Sequence, residues 1–342
     1  MRQSLHKRYA GSPFRGYRRG VSPRRRILLL VALAAAAAVA LVAAAVISSD
    51  GGSATTAGTP EPRPGRPPLS FALGFREDSE ARDLARGEDL YRQGNAHAAA
   101  TLFARHDSLE AKVGAAFVTW PDGTFDRMEQ LAKLYPDIAV VQLHLGLARL
   151  WAQRGDPVDA WQAAIDAEPD TPYAVLAGNL LHPKLPRGLP AFIPSFAASA
   201  EITRLAPARQ LDALRRRAER GGLREALLYG VGLQRVGRPE SAARVFEEAA
   251  RRAPGDVEAQ VAAAVGQFDK GAPAAAFGRL GPLTRRFPRE PTVRFHLGVL
   301  LLWTGRIDPA ERQFRLASRV KPGSPLAREA ARYVETIRKA RS

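Results

Sequence analysis

Three stretches of equal length decide the fold. Residues 237–254 read GRPESAARVFEEAARRAP, residues 271–288 read GAPAAAFGRLGPLTRRFP, and residues 305–322 read GRIDPAERQFRLASRVKP. Gly237, Gly271 and Gly305 stand 34 residues apart. The same interval separates Ala242, Ala276 and Ala310, then Phe246, Leu280 and Phe314, then Ala249, Leu283 and Ala317, then Pro254, Pro288 and Pro322. Each position has a physical reason. The glycine sits between two helices, where a tight turn needs permissive backbone. The alanine lets the second helix approach the first. The Phe or Leu four residues later lies on the same helix face and fills the core. The proline stops the second helix. A small residue, Gly230, Ala264 or Gly298, marks the close-packing point of the helix before each glycine.

This order of residues at this period resembles the tetratricopeptide repeat. The family's first aromatic is replaced here by Ala226, Gln260 and Arg294. The resemblance implies an all-α fold, a solenoid of helix pairs in which each pair covers the apolar side of its neighbour. It also implies a concave groove, lined by the first helix of each pair, that holds a protein or peptide partner. Carried onto this chain, the groove positions are Arg224, Leu227, Val231, Gln234 and Arg235 in one repeat. The next gives Glu258, Val261, Val265, Phe268 and Asp269, and the last gives Thr292, Phe295, Val299, Leu302 and Trp303. A surface so apolar either receives a partner or is filled from within, by the C-terminal helix or by the loop 183–196.

Working outward, residues 323–342 supply a last amphipathic helix. Its stripe of Leu326, Ala330, Tyr333, Val334 and Ile337 suits a cap. Upstream, residues 70–181 read as more divergent repeats. Gly155, Ala160, Ala164, Ala167 and Pro172 fit the pattern behind Leu147, Ala148 and Trp151, and Gly94, Ala99 and Phe103 fit its first half. Residues 109–120 and 124–135 form a shortened pair between them. Residues 182–222 interrupt the series. Prolines at 183, 186, 190 and 194 forbid a helix through HPKLPRGLPAFIPSF, after which 197–205 and 208–220 turn helical. Two readings of the insert stand: a functional loop, or a packed connector in which Leu189, Phe192, Ile193 and Phe196 cover a gap between two sub-solenoids.

The N-terminal region is of another kind. Residues 27–47, ILLLVALAAAAAVALVAAAVI, hold no polar side chain over 21 positions, long enough to cross the hydrocarbon core as a helix. An uncleaved single-pass anchor fits the length of the run better than a cleaved signal peptide. Nine basic and no acidic residues fill positions 1–26, which places that tail in the cytoplasm and the bulk of the chain outside. Residues 48–69, rich in Gly, Ser, Thr and Pro, read as a disordered linker that holds the folded part off the membrane.

The chain carries 51 Lys and Arg against 34 Asp and Glu, a net charge of +17. Nine of those positive charges belong to the tail, so the excess is no strong sign of nucleic acid. The absence of cysteine excludes disulfides, thiolate catalysis and the common structural zinc sites. His6, His97, His106, His144, His182 and His296 form no metal-ligand spacing, and most of them read as surface or half-buried residues. Gly230, Gly232 and Gly237 lack the dinucleotide-loop spacing, and Ser195 stands in no nucleophile elbow. The sequence thus predicts no catalytic, metal or cofactor site. It predicts a membrane-anchored scaffold, assembly or chaperone-like factor. The alternative is a cytoplasmic-facing binder of nucleic acid or anionic lipid, using Arg215–Arg217, Arg251–Arg252 and Arg285–Arg286. Helix-end arginines also have a structural use, since they satisfy the helix dipole.

Overall fold

The computed structural model describes residues 65–341, all within one compact unit. The predicted tail 1–26, membrane segment 27–47 and most of the predicted linker, 48–64, lie outside the described residues. Among the described residues there are sixteen α-helices and no strand, and no helix is long and apolar enough to cross a membrane.

The helices follow one another in pairs. α1 (Ser79–Arg92) and α2 (Ala96–Phe103) form the first, α3 (Leu109–Phe117) and α4 (Thr124–Leu134) the second, α5 (Ala139–Ala152) and α6 (Pro157–Ala167) the third. α7 (Pro172–Leu181) closes this set. After the Pro-rich insert, α8 (Ala200–Thr203) and α9 (Pro207–Glu219) lead into a second set. It comprises α10 (Leu223–Arg235) with α11 (Pro239–Arg252), α12 (Val257–Gly266) with α13 (Ala274–Arg286), and α14 (Pro291–Trp303) with α15 (Ile307–Val320). α16 (Pro325–Arg341) closes it. Most helices pack chiefly on a neighbour in sequence, as a linear stack requires.

Local chemistry sets the boundaries. Asp78, Ser108, Thr171 and Asp256 cap α1, α3, α7 and α12 by accepting from the backbone N–H three residues on. Proline opens α6, α7, α9, α11 and α14, where its missing N–H goes unused. Gly94, Gly237 and Gly305 turn between paired helices with φ of +90°, +71° and +72°. Gly271 does not. There the turn lengthens to 267–273, and the Asp269 carboxylate accepts the N–H groups of Gly271 and Ala272. The period of 34 survives, but the left-handed turn expected at this glycine is replaced by a side-chain cap.

Packing follows the small residues. Phe246 of α11 lies between Gly230 of α10 and Gly266 of α12, where an added Cβ would stand 2.2 and 3.2 Å from its ring. Phe103 of α2 is held alike between Gly87 and Gly114, at 2.4 and 2.8 Å. Gly146 gives way to Trp161, and Gly298 to Phe314. The C-terminal stripe works as a cap: Leu326, Ala330, Tyr333 and Ile337 are buried, with Tyr333 stacked on Phe314 at 4.7 Å. The two sets meet at a polar seam. Asp170 accepts from Arg238 Nε at 2.8 Å and from Ser241 N and Oγ at 2.9 and 2.6 Å, while Gly237 lies against Pro172.

Candidate functional site

Each set of helix pairs carries an extended strap, and the strap comes from this chain. Strap 1, residues 66–75, precedes α1. Strap 2, residues 187–196, is the core of the Pro-rich insert. Both have the spacing Arg-x4-Phe-x3-Phe: Arg66, Phe71 and Phe75 in one, Arg187, Phe192 and Phe196 in the other. Proline and glycine keep both out of helical geometry. Alternate residues point inward, as an extended chain requires. Pro67, Leu69 and Phe71 are buried in strap 1, and Pro190 and Phe192 in strap 2. Pro67 and Leu69 therefore belong to the folded unit and not to the linker assigned to 48–69. Their burial beside Phe71 makes them core.

The central phenylalanine of each strap meets the same two partners. Phe192 packs edge-on to Phe246 at 5.6 Å and stacks on His296 at 5.1 Å. Phe71 packs edge-on to Phe103 at 5.9 Å and tilts against His144 at 6.0 Å. Both histidines are fully buried, unlike His97, His106 and His182, which take the surface or half-buried position expected of most histidines in the chain. The Nδ1–H of His144 donates to Val140 O and that of His296 to Thr292 O, each at 2.7 Å. This leaves Nε2 of each as an acceptor. His144 takes the N–H of Ser70 at 3.3 Å, and His296 the N–H of Ile193 at 2.9 Å. Burial holds both imidazoles down at about 4, hence neutral, the form this geometry needs.

Other groove side chains take the remaining strap backbone. Gln234 accepts from Phe192 N at 3.0 Å and Glu258 from Ser195 N at 3.4 Å. Lys270 Nζ donates to Pro186 O and Asn179 Oδ1 at 2.7 and 2.6 Å, and Arg224 lies over the Phe196 ring at 4.6 Å. Burial pushes the Glu258 carboxyl up to about 7 and brings the Lys270 ammonium down to about 8. In the first set Tyr91 donates its hydroxyl to Pro67 O at 2.8 Å, Glu88 accepts from Phe71 N at 3.1 Å, and the Tyr173 oxygen accepts from Ala72 N at 3.1 Å.

Of the predicted groove residues, Arg224, Gln234 and Glu258 do meet the strap. Leu227, Val231, Val261, Val265, Phe268, Thr292, Val299, Leu302 and Trp303 are buried. Phe295 turns the other way, packing edge-on to Tyr333 at 5.7 Å and against Phe314 at 5.6 Å in the core. Asp269 caps its own loop, and Arg235 is exposed. The histidines were missed, although a signal existed: His-Leu-Gly recurs at 144–146 and 296–298, with Trp151 and Trp303 at equal distance beyond. The indole N–H of both tryptophans is buried without a hydrogen-bond partner. Among the described residues, no cluster of three or more His, Asp and Glu could hold a metal.

No protein-family model matches the chain, and no curated protein does. Among solved structures it is similar to a crystal structure of yeast Tom70, at 12% identity over 81% of this chain and 68% of that one, with a TM-score of 0.23. The helical-repeat architecture rests on the residues and packing set out above.

Proposed function

We propose that this chain is a membrane-anchored tetratricopeptide-repeat protein that mediates protein–protein interactions outside the cytoplasmic membrane, as a scaffold, assembly or chaperone-like factor without chemistry of its own. One observation carries this reading: stacked helix pairs grip extended polypeptide, twice, through bonds from strap N–H groups to groove side chains. Such bonds recognise a backbone whatever its sequence. Residues 27–47 would anchor the protein, with the basic tail inside and the helical unit outside. Crosslinking in the native cell followed by partner identification tests the interaction. Membrane fractionation with protease protection tests the placement. A helical unit recovered free of membranes, or shielded from protease that has access to the outer face of the cytoplasmic membrane, would refute the placement.

The rival, an anionic-surface binder, draws on the helix-end arginines. Arg252 donates to Gly221 O at 3.0 Å and Arg286 to Pro254 O at 3.3 Å, which supports a structural use for that pair. Salt-dependent retention on DNA or on anionic vesicles separates the two readings.

A further inference from the structure

We propose that strap 2 is an internal stand-in for the partner, and that the C-terminal groove exchanges it for an extended segment of the same chemistry: a buried phenylalanine with an apolar residue two positions before it and a second aromatic four positions after it. The inference deepens the interaction reading above and rests on it.

Three observations support exchange. First, the recognition rule appears twice in independent grooves. Leu69 and Pro190 are buried at the −2 position of their straps and Phe71 and Phe192 at the anchor; at +4 the two differ, with Phe196 under Arg224 and Phe75 45% exposed. Unrelated fillers of two grooves would have no cause to share a register. Second, Gln234, His296 and Glu258 accept main-chain N–H groups, so another extended backbone can use the same three acceptors. Specificity is left to the pocket between Phe246 and His296 and to Arg224 over the +4 ring.

Third, strap 2 is built to leave more readily than strap 1. It lies in a connection from 182 to 199 without regular helix, so α7 and α8 need not unfold when it lifts away. Ala191, Ser195, Ala197 and Ser199 already face solvent, and Phe192 is its only large buried side chain. Strap 1 buries Leu69 as well as Phe71. The occupied C-terminal groove is thus a self-inhibited one. A partner must outcompete a ligand already tethered to its site, which favours partners held near the domain at high local concentration.

A labelled peptide of residues 185–197, LPRGLPAFIPSFA, provides the test against the full chain. It is expected to bind the Phe192→Ala chain, whose own anchor is gone, and to bind the unaltered chain more weakly. The same peptide with its central Phe changed to Ala should bind about 100-fold less tightly. Absence of binding by a Phe192→Ala chain of normal helicity overturns the inference, as does equal binding of both peptides. If that variant fails to fold, hydrogen exchange on the unaltered chain decides. Excess peptide should speed exchange at the Phe192 and Ile193 amides, and unchanged protection refutes the exchange. A partner captured in cells while the strap stays protected would retire this inference and leave the broader interaction reading standing.

Discussion

The ring of Phe192 lies stacked on that of His296, centroids 5.1 Å apart and planes 25° from parallel. The imidazole is thereby closed off from water on one face, while its Nε2 accepts the next backbone N–H of the strap. Protonation at Nε2 would set a donor against that N–H and place a charge in the core. His144 meets strap 1 in a shifted way: it is tilted against Phe71 at 6.0 Å, and its Nε2 accepts the N–H of Ser70, the residue before that phenylalanine.

This fixes a pH dependence. Both histidines fall from 6.5 to about 4, through burial, opposed only by the carbonyl bond; no charged side chain contributes. Their contribution to stability is complete above the unfolded value of about 6.5 and is lost as pH falls toward 4, on the order of 3 kcal/mol for each. Glu258 acts in the opposite sense. Its raised value, about 7 against 4.5, penalises the fold as pH rises through that window. Urea unfolding between pH 7 and 4 should therefore be followed in a Glu258→Gln chain, with and without His296→Gln. The second substitution should remove about half of the histidine-dependent acid loss. Equal losses in the two chains would mean that His296 is not the titrating group.

The paired glycines make a second prediction. A methyl at Gly230 would stand 2.2 Å from the Phe246 ring, which is pinned from the other side by Gly266 and from above by Phe192. Gly230→Ala should destabilise by about 1–3 kcal/mol through overpacking. Gly278 lies in the exposed interior of α13 with nothing within 4 Å of the added atom. Gly278→Ala should stabilise by roughly 0.5–1 kcal/mol, through helix propensity alone. Thermal and urea unfolding of both variants check the pair, and effects of one sign at both sites would contradict the packing.

Much of this fold is legible because the repeats impose one residue type at one place. Gly237, Phe246 and Pro254 each have a single best solution, so the period shows in the letters. The cap is legible for the same reason, since an amphipathic stripe from Leu326 to Ile337 needs a partner. The filling of the groove is not legible in that way. Helical periodicity says which face of α10, α12 and α14 is apolar, and nothing about what covers it. Strap 2 has no helical periodicity; its register is set by Gln234 and His296, distant in sequence. Phe295 was misplaced because α14 is buried on nearly every side, so the apolar pattern no longer distinguishes the groove from the core. Only comparison of the two halves, through His144 with His296 and Phe71 with Phe192, would have revealed the straps.

The seam between the two sets should be sensitive to one carboxylate. Asp170 is largely covered and takes three hydrogen bonds from Arg238 and Ser241, which together hold its carboxyl below the usual range against the opposing effect of burial. Asp170→Ala leaves the Ser241 N–H and the Arg238 charge without their partner. A loss of about 1–3 kcal/mol is expected. Asp170→Asn should recover part of it by keeping an acceptor. Unfolding midpoints for the two variants check this, and a neutral Asp170→Ala would show that the seam is held by Gly237 against Pro172 alone.

Gln153 offers the last test, by comparison with its counterpart. It follows Trp151 by two residues, as Gly305 follows Trp303; Gln153 caps α5 in the left-handed region at φ +52°, and Gly305, one residue past the cap Thr304 of α14, takes +72°, while Gly155 at +73° holds the repeat-glycine place of the earlier turn. A side chain in that region carries a steric cost that glycine lacks, on the order of 1 kcal/mol. Part of it is returned through the greater freedom of glycine in the unfolded chain. Gln153→Gly should therefore raise stability by up to about 1 kcal/mol, and Gly305→Ala should lower it by a similar amount. Nothing lies within 4 Å of a Cβ at Gly305, so strain and not collision is what the second variant measures. The two substitutions relieve and impose left-handed strain in opposite directions, and unfolding energies that move in the same direction would show that this strain does not set stability at these turns.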